Sequence, residues 1–203
     1  MSKSGRPVGK RGKAQVFSNE DQAAIFASVN NGKNAERDSA LLSLSFFLGL
    51  RVGEMAQINV SSIFDEEYNI RPALILGTDI ETKGEKHRVI GLKGKSIRPH
   101  LLRYIAFLNK DTPTSPERPL FISQKKARYS SNTLSRHIKN IYTKAGFEDA
   151  TSHSGRRSLI TGLSGKVDIN ILRQLAGHTS IVTTQKYIDD NPALVSDALA
   201  EFT

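Results

Sequence analysis

Ala176-Gly177-His178-Thr179-Ser180-Ile181-Val182-Thr183-Thr184-Gln185-Lys186-Tyr187-Ile188 puts an imidazole and a phenol nine residues apart, in a segment that opens on turn-prone residues and then becomes helix-compatible. Side chains at the two ends of so short a segment can face one small target. Taken alone, Tyr187 reads as a ring capping an apolar patch with Ile181 and Ile188, the ordinary use of an amphipathic aromatic. The residues upstream give it a second reading.

Residues 168–175 read as a helix leading into this stretch. Before it, Thr151-Ser152-His153-Ser154-Gly155-Arg156-Arg157 opens a helix that continues to about residue 163. His153 and Arg156, three apart, project together from a helix N-terminus, which is itself an anion site. Further back, Ala40, Leu41, Leu44, Phe47 and Leu48 repeat at helical spacing and predict a core helix over residues 35–50. It runs into Gly49-Leu50-Arg51-Val52-Gly53-Glu54-Met55, where Arg51 and Glu54 share a face. A plain surface ion pair has the same spacing. An earlier helix starts at Ser18 with Glu20 and Asp21 in its first turn, and Asn30-Asn31-Gly32 stops it.

Between these helices lie short β-branched runs at residues 73–76, 78–82 and 87–92, which read as two or three strands of a small antiparallel sheet, three-stranded in the fold expected here. Lys83-Gly84-Glu85-Lys86 makes a turn, so Lys83 is either a solvated tip or a side chain reaching back into a cleft. Gly91-Leu92-Lys93-Gly94-Lys95-Ser96 mimics the end of a phosphate-binding loop, but Val89 occupies the position that needs glycine, which excludes a nucleotide site. Residues 97–109 read as helix, residues 120–123 as a strand, and residues 131–145 as a helix carrying Arg136, His137, Lys139 and Lys144 without an acid. That basic face suits a DNA backbone or plain solvation. A last amphipathic helix over residues 193–202 serves its own core or a neighbouring subunit.

The chain has 203 residues and 38% hydrophobic content, enough for one domain with a real core. No run reaches the roughly 20 apolar residues of a membrane span, and the basic N-terminus lacks the apolar segment of a secretory signal. Zero cysteines exclude disulfides, zinc-thiolate sites and cysteine nucleophiles, and fit a cytoplasmic setting. A net charge of +9 points to a polyanionic partner. Lys3, Arg6, Lys10, Arg11 and Lys13 sit among glycines without an acid, so residues 1–16 read as a flexible basic arm. Gly5-Arg6-Pro7 is similar to minor-groove arms; a merely solubilising tail is the alternative.

Together the candidates are Arg51, Lys83, His153, Arg156, His178 and Tyr187, supported by Glu54 and with no metal cluster. Two guanidiniums can hold the oxygens of a phosphodiester and stabilise the charge that grows there. A tyrosine hydroxyl of pKa near 10 is only about one part in a thousand ionised at pH 7, so it needs a base or a cationic field to attack. Two histidines and a lysine supply the proton traffic.

At these residues the chain resembles the catalytic domain of the tyrosine recombinases, the phage integrase family. The matches are residues 49–54 for a first arginine box, Thr82-Lys83-Gly84 for a hairpin lysine, His153-Ser154-Gly155-Arg156 for a His-x-x-Arg box, and Leu175-Ala176-Gly177-His178 through Tyr187 for the last histidine and the nucleophile. They run in order over about residues 17–195. The resemblance implies a mainly helical α+β catalytic fold that cuts DNA one strand at a time.

Under it, Tyr187 attacks the scissile phosphate, Arg51 and Arg156 hold it, and His178 hydrogen-bonds to it. Lys83 protonates the leaving 5′-oxygen, His153 acts as base or orients Tyr187, and Glu54 positions its neighbours. No cofactor, metal or nucleotide is implied. The partner is double-stranded DNA at specific recombination sites, with four copies assembling in a synapse in the cytoplasm, on the nucleoid and not at a membrane. Lys3, Arg6, Lys10, Arg11, Lys13, Lys125, Lys126, Arg128, Arg136, Lys139 and Arg157 are the residues expected on that DNA.

Two departures stand out. Gly155 and Arg157 flank the second arginine where the family usually has an apolar residue and a histidine. Only some sixteen residues precede the fold, where typical members carry a separate core-binding domain of about a hundred. The expectation is a single catalytic domain over residues 17–203, either a natural single-domain member like the recombinases that invert fimbrial promoter segments, or a fragment. A DNA-binding regulator of the same fold and a type IB topoisomerase-like enzyme are the competing classes.

Overall fold

A computed structural model describes residues 14–82, 87–124 and 126–188. The described elements are α1 (Asn19–Asn30), α2 (Ala35–Leu48), α3 (Val52–Gln57), α4 (Val60–Ile63), β1 (Ala73–Leu76), β2 (Arg88–Gly91), α5 (Arg98–Leu108), α6 (Ser131–Lys144), α7 (Ser154–Leu163), α8 (Ile169–Ala176) and α9 (Ile181–Ile188). The architecture is mainly helical α+β, as expected. The anticipated helix over residues 193–202, Lys83, Lys125 and the basic residues Lys3 to Lys13 lie outside the described residues.

α1 begins where Ser18 Oγ accepts from the Asp21 amide at 3.1 Å and the Asp21 carboxylate accepts from the Ser18 amide at 3.0 Å. It buries Ile25 and Val29 against α2. α2 is the hub, packing on α1, α5, α6 and α7, with Leu41, Leu42 and Leu44 wholly buried. Three buried leucines contribute about 1.5–3 kcal/mol each. The helix therefore tolerates Ser39, Ser43 and Ser45 in its buried surface, each about 0.5 kcal/mol poorer in propensity than alanine. Phe17, Phe46 and Tyr142 extend this core toward α6 through tilted and edge-on ring contacts.

The sheet differs from expectation: among the described residues it has two strands, not three. β1 and β2 pair antiparallel, Leu74 opposite Ile90 and Leu76 opposite Arg88. Residues 78–82 are not a strand, because the Gly77 amide donates to the Ile80 carbonyl at 2.8 Å and turns the chain back. The Glu81 amide then donates to Gln57 Oε1 at 2.9 Å, which ties the segment to the end of α3. The strand anticipated at residues 120–123 is reduced to isolated pairings of Asn59 with Pro119 and Ile122 with Arg128. Pro119 has no N–H with which to extend a ladder. Strand alternation in β2 sends Arg88 and Ile90 inward and leaves Val89 exposed.

A second, smaller cluster of Ile160, Leu172 and Ala176, covered by Leu163, Val167 and Tyr187, joins α7, α8 and α9. Among the described residues no helix is long and apolar enough to cross a membrane.

Candidate active site

Arg51 is the N-cap of α3, with the extended backbone that position requires. Its amide donates to Glu54 Oε2 at 2.8 Å and its Nη1 to Glu54 Oε1 at 2.9 Å. Glu54 is only 2% exposed, so this is not the surface ion pair that the spacing alone allowed. A buried carboxylate at a helix N-terminus, holding two guanidiniums, has its charge compensated on every side. The second guanidinium belongs to Arg88, whose Nη2 donates to Glu54 Oε2 at 2.8 Å.

α8 ends at Gly177, whose left-handed φ of 56° leaves the last carbonyls of the helix pointing at the arginines. Arg51 Nη2 donates to the Ala176 carbonyl at 3.0 Å and to the Gly177 carbonyl at 2.9 Å. Arg156, buried near the start of α7, donates to the carbonyls of Ala176 and Gly49. The negative end of the α8 dipole is thus the common mount of both arginines. Desolvation, then the Arg51 charge, lowers the Arg156 pKa to about 10, which leaves it protonated at neutral pH.

His178 follows the turn directly. Its Nδ1 lies 3.0 Å from the buried Thr184 Oγ1, and its ring stacks on Tyr187 with centroids 5.7 Å apart and planes 20° apart. Desolvation, then the charges of Arg156, Arg51 and Arg88, lowers its pKa to about 4, so the imidazole is neutral at pH 7. Arg157 places its guanidinium carbon 5.7 Å from the Tyr187 ring centroid, a cation–π contact. His153, the N-cap of α7, is exposed at the rim. Desolvation of its ring, then the Arg156 and Arg51 charges, lowers its pKa, an effect that solvent screening trims.

The fold therefore brings together Arg51, Glu54, Arg156, His178 and Tyr187, with His153 at the edge. Thr82, next to Lys83 in the chain, lines a cavity of about 610 Å³ with Arg51, Arg88 and His178. The residues anticipated on DNA divide. Arg136 and Lys139 are exposed on α6, and Lys126 is exposed in the turn before it. Arg128 is engaged elsewhere, donating to the carbonyls of Ala56 and Gln57 and to Asn59 Oδ1 at 2.6 Å. Arg157 stands against Tyr187 rather than on an outer face. Sequence reasoning missed Arg88 and Thr184. The available signal for Arg88 was strand parity, since it shares the inward side with Ile90 and Leu92.

Residues 15–193 match the model of the phage integrase family. The chain is 30% identical over 172 residues to tyrosine recombinase XerC of Corynebacterium glutamicum, covering 83% of this chain and 52% of that protein. It is 27% identical over 187 residues to tyrosine recombinase XerD of Oceanobacillus iheyensis, covering 90% and 60%. The chain thus spans about half the length of the curated relatives it matches. Among solved structures, XerA recombinase aligns with a TM-score of 0.74 at 23% identity, over 94% of this chain and 66% of that one. XerH site-specific recombinase bound to palindromic difH substrate in a post-cleavage complex aligns at 0.70 and 22% identity, over 96% and 55%. At such identities the structural likeness shows the fold.

Proposed function

The chain belongs to the phage integrase family, and from that premise we propose that it cuts and rejoins double-stranded DNA at specific sites through a 3′-phosphotyrosyl intermediate, in integration, excision or inversion of a DNA element. The observation that carries this reading is the convergence of Arg51, Arg156, His178 and Tyr187 on the single junction between α8 and α9.

A guanidinium has five N–H donors, and the carbonyls and Glu54 engage only some of those on Arg51 and Arg156. The rest hold the non-bridging phosphate oxygens and stabilise the charge that develops in the pentacoordinate transition state. With Thr184 Oγ1 donating to Nδ1, neutral His178 keeps its Nε2–H for the same phosphate. The Tyr187 oxygen attacks phosphorus, its proton passes to His153, and the bond from phosphorus to the 5′-oxygen breaks. Lys83 delivers a proton to that leaving oxygen. The phosphotyrosyl diester conserves the bond, so an incoming 5′-hydroxyl reverses the steps without ATP. The scheme routes no step through a metal or cofactor.

In this reading Arg136, Lys139, Lys126 and the arm over residues 1–16 bind the duplex. Residues 193–202 dock between copies in a four-subunit synapse, on DNA in the cytoplasm.

The test is covalent trapping on nicked DNA from the flanks of the chain's own gene, with the native protein and Tyr187→Phe. The proposal expects a denaturation-resistant adduct with the native protein alone. Equal DNA binding by both proteins, with no adduct on any flank, would overturn it in favour of a binding regulator.

A further inference from the structure

Strand parity turns Arg88 inward, where its side chain is only 7% exposed. A buried arginine adds little to stability, since replacing a buried ion pair by apolar side chains is often neutral or favourable. The neighbours Leu74, Leu76 and Ile90 show that an apolar side chain suits this face. Arg88 Nη2 meets Glu54 Oε2, while its Nε and Nη1 are buried and find no hydrogen-bond partner among the described residues. Nη1 packs directly on Gly177, so closely that a β-carbon there would run into it.

We infer that Arg88 is a positioning residue of the phosphate site, sharing the Glu54 carboxylate with Arg51 and buttressing the Gly177 turn that presents His178. The inference rests on the phosphotyrosyl reading. Glu54 alone would neutralise Arg51, the group that must hold a phosphate. With two guanidiniums on one carboxylate, the trio keeps a net positive charge facing the cavity that Arg51, Arg88 and His178 line together. The Arg88 charge also falls on His178, adding to those of Arg156 and Arg51 in keeping the imidazole neutral.

The test compares Arg88→Met, which keeps length without charge, and Arg88→Lys, which keeps the charge. Single-turnover adduct formation, affinity for the same nicked DNA and urea unfolding are measured on each. Arg88→Met should slow adduct formation about 100-fold, the scale of a mispositioned reacting group, with affinity little changed. Arg88→Lys should recover much of the rate. Glu54→Gln combined with Arg88→Met should be no slower than the slower single variant, because both act through one carboxylate.

Native rates in both Arg88 variants would overturn the inference, as would losses of rate, affinity and stability in parallel. If the native protein forms no adduct at all, the cleavage reading fails by itself and the inference is decided by NMR titration of the His178 imidazole. A midpoint raised in Arg88→Met and restored in Arg88→Lys supports it, and an unmoved midpoint overturns it.

Discussion

Gly155 faces Ser45 across the contact between α7 and α2 so closely that a β-carbon on it would stand 2.6 Å from Ser45 Oγ and 2.9 Å from Tyr142 Oη. The glycine that departs from the family's usual apolar residue is thus fitted to this protein's own α2 and α6. Arg156, one residue on, donates to the Gly49 and Ala176 carbonyls.

Gly155→Ala sets two effects against each other. Alanine gains about 1 kcal/mol of helix propensity over glycine, whereas overpacking a filled core costs about 1–3 kcal/mol. Two contacts below 3.0 Å decide for the clash, so the urea midpoint should fall. Adding Ser45→Ala and Tyr142→Phe, which removes both crowding oxygens, should give a combined loss smaller than the sum of the separate losses.

Gly177→Ala tests the mount of the site. Its φ of 56° costs a non-glycine residue about 1–2 kcal/mol. The new β-carbon also meets Arg88 Nη1 and stands 3.2 Å from Arg51 Nη1. A free arginine head would move aside; these two are held by Glu54 and by backbone carbonyls. Adduct formation should drop about 100-fold, well beyond what the loss of stability explains, as read by parallel urea unfolding and single-turnover trapping.

Acid should weaken the fold in a defined window. The His178 pKa lies at about 4 in the folded chain against 6.5 unfolded, so between these values the unfolded state binds the extra proton. Stability is therefore unaffected by this group above pH 6.5 and is lost as pH falls toward 4, by at most about 3 kcal/mol. His100 and His153 shift in the same direction, each by desolvation first. His178→Asn should flatten, not abolish, the slope of the urea midpoint between pH 7 and pH 5. An unchanged slope would place His178 in water.

Much of this was legible in the sequence because periodicity and caps are local. The Ser18 cap, the apolar face of α2 and the extent of α8 were each read near their observed places. Three of the four short boxes hold Arg51, Arg156, His178 and Tyr187, which the fold brings together; the lysine of the fourth lies outside the described residues. What was not legible depends on contacts far apart in the chain. The four residues of α4 are too few to show a period. Residues 78–82 have strand composition, but a turn at Gly77 and the Gln57 side chain claim their backbone. Arg88 reads as one more basic residue until the register with β1 puts it inside. Charge alone could not separate Arg128 from Arg136.

Arg128 and Arg136 should fail in different assays. Arg128→Ala removes donors to two carbonyls at the end of α3 and to Asn59, links that join the loop before α6 to the loop after α3. Hydrogen bonds from a charged group contribute about 1.5–3 kcal/mol each when buried and less when exposed, as here. The variant should therefore unfold at lower urea, while the salt dependence of its DNA binding stays near native. Arg136, exposed on α6, faces no such partner among the described residues. Arg136→Ala should leave unfolding unchanged, weaken DNA binding uniformly across sequences, and reduce the slope of log affinity against log salt by about one. Lys139→Ala should do the same if α6 lies along the backbone. If Arg128→Ala instead changed the salt slope and Arg136→Ala did not, the DNA would have to approach from the turn before α6, and the helix would be an ordinary solvated face.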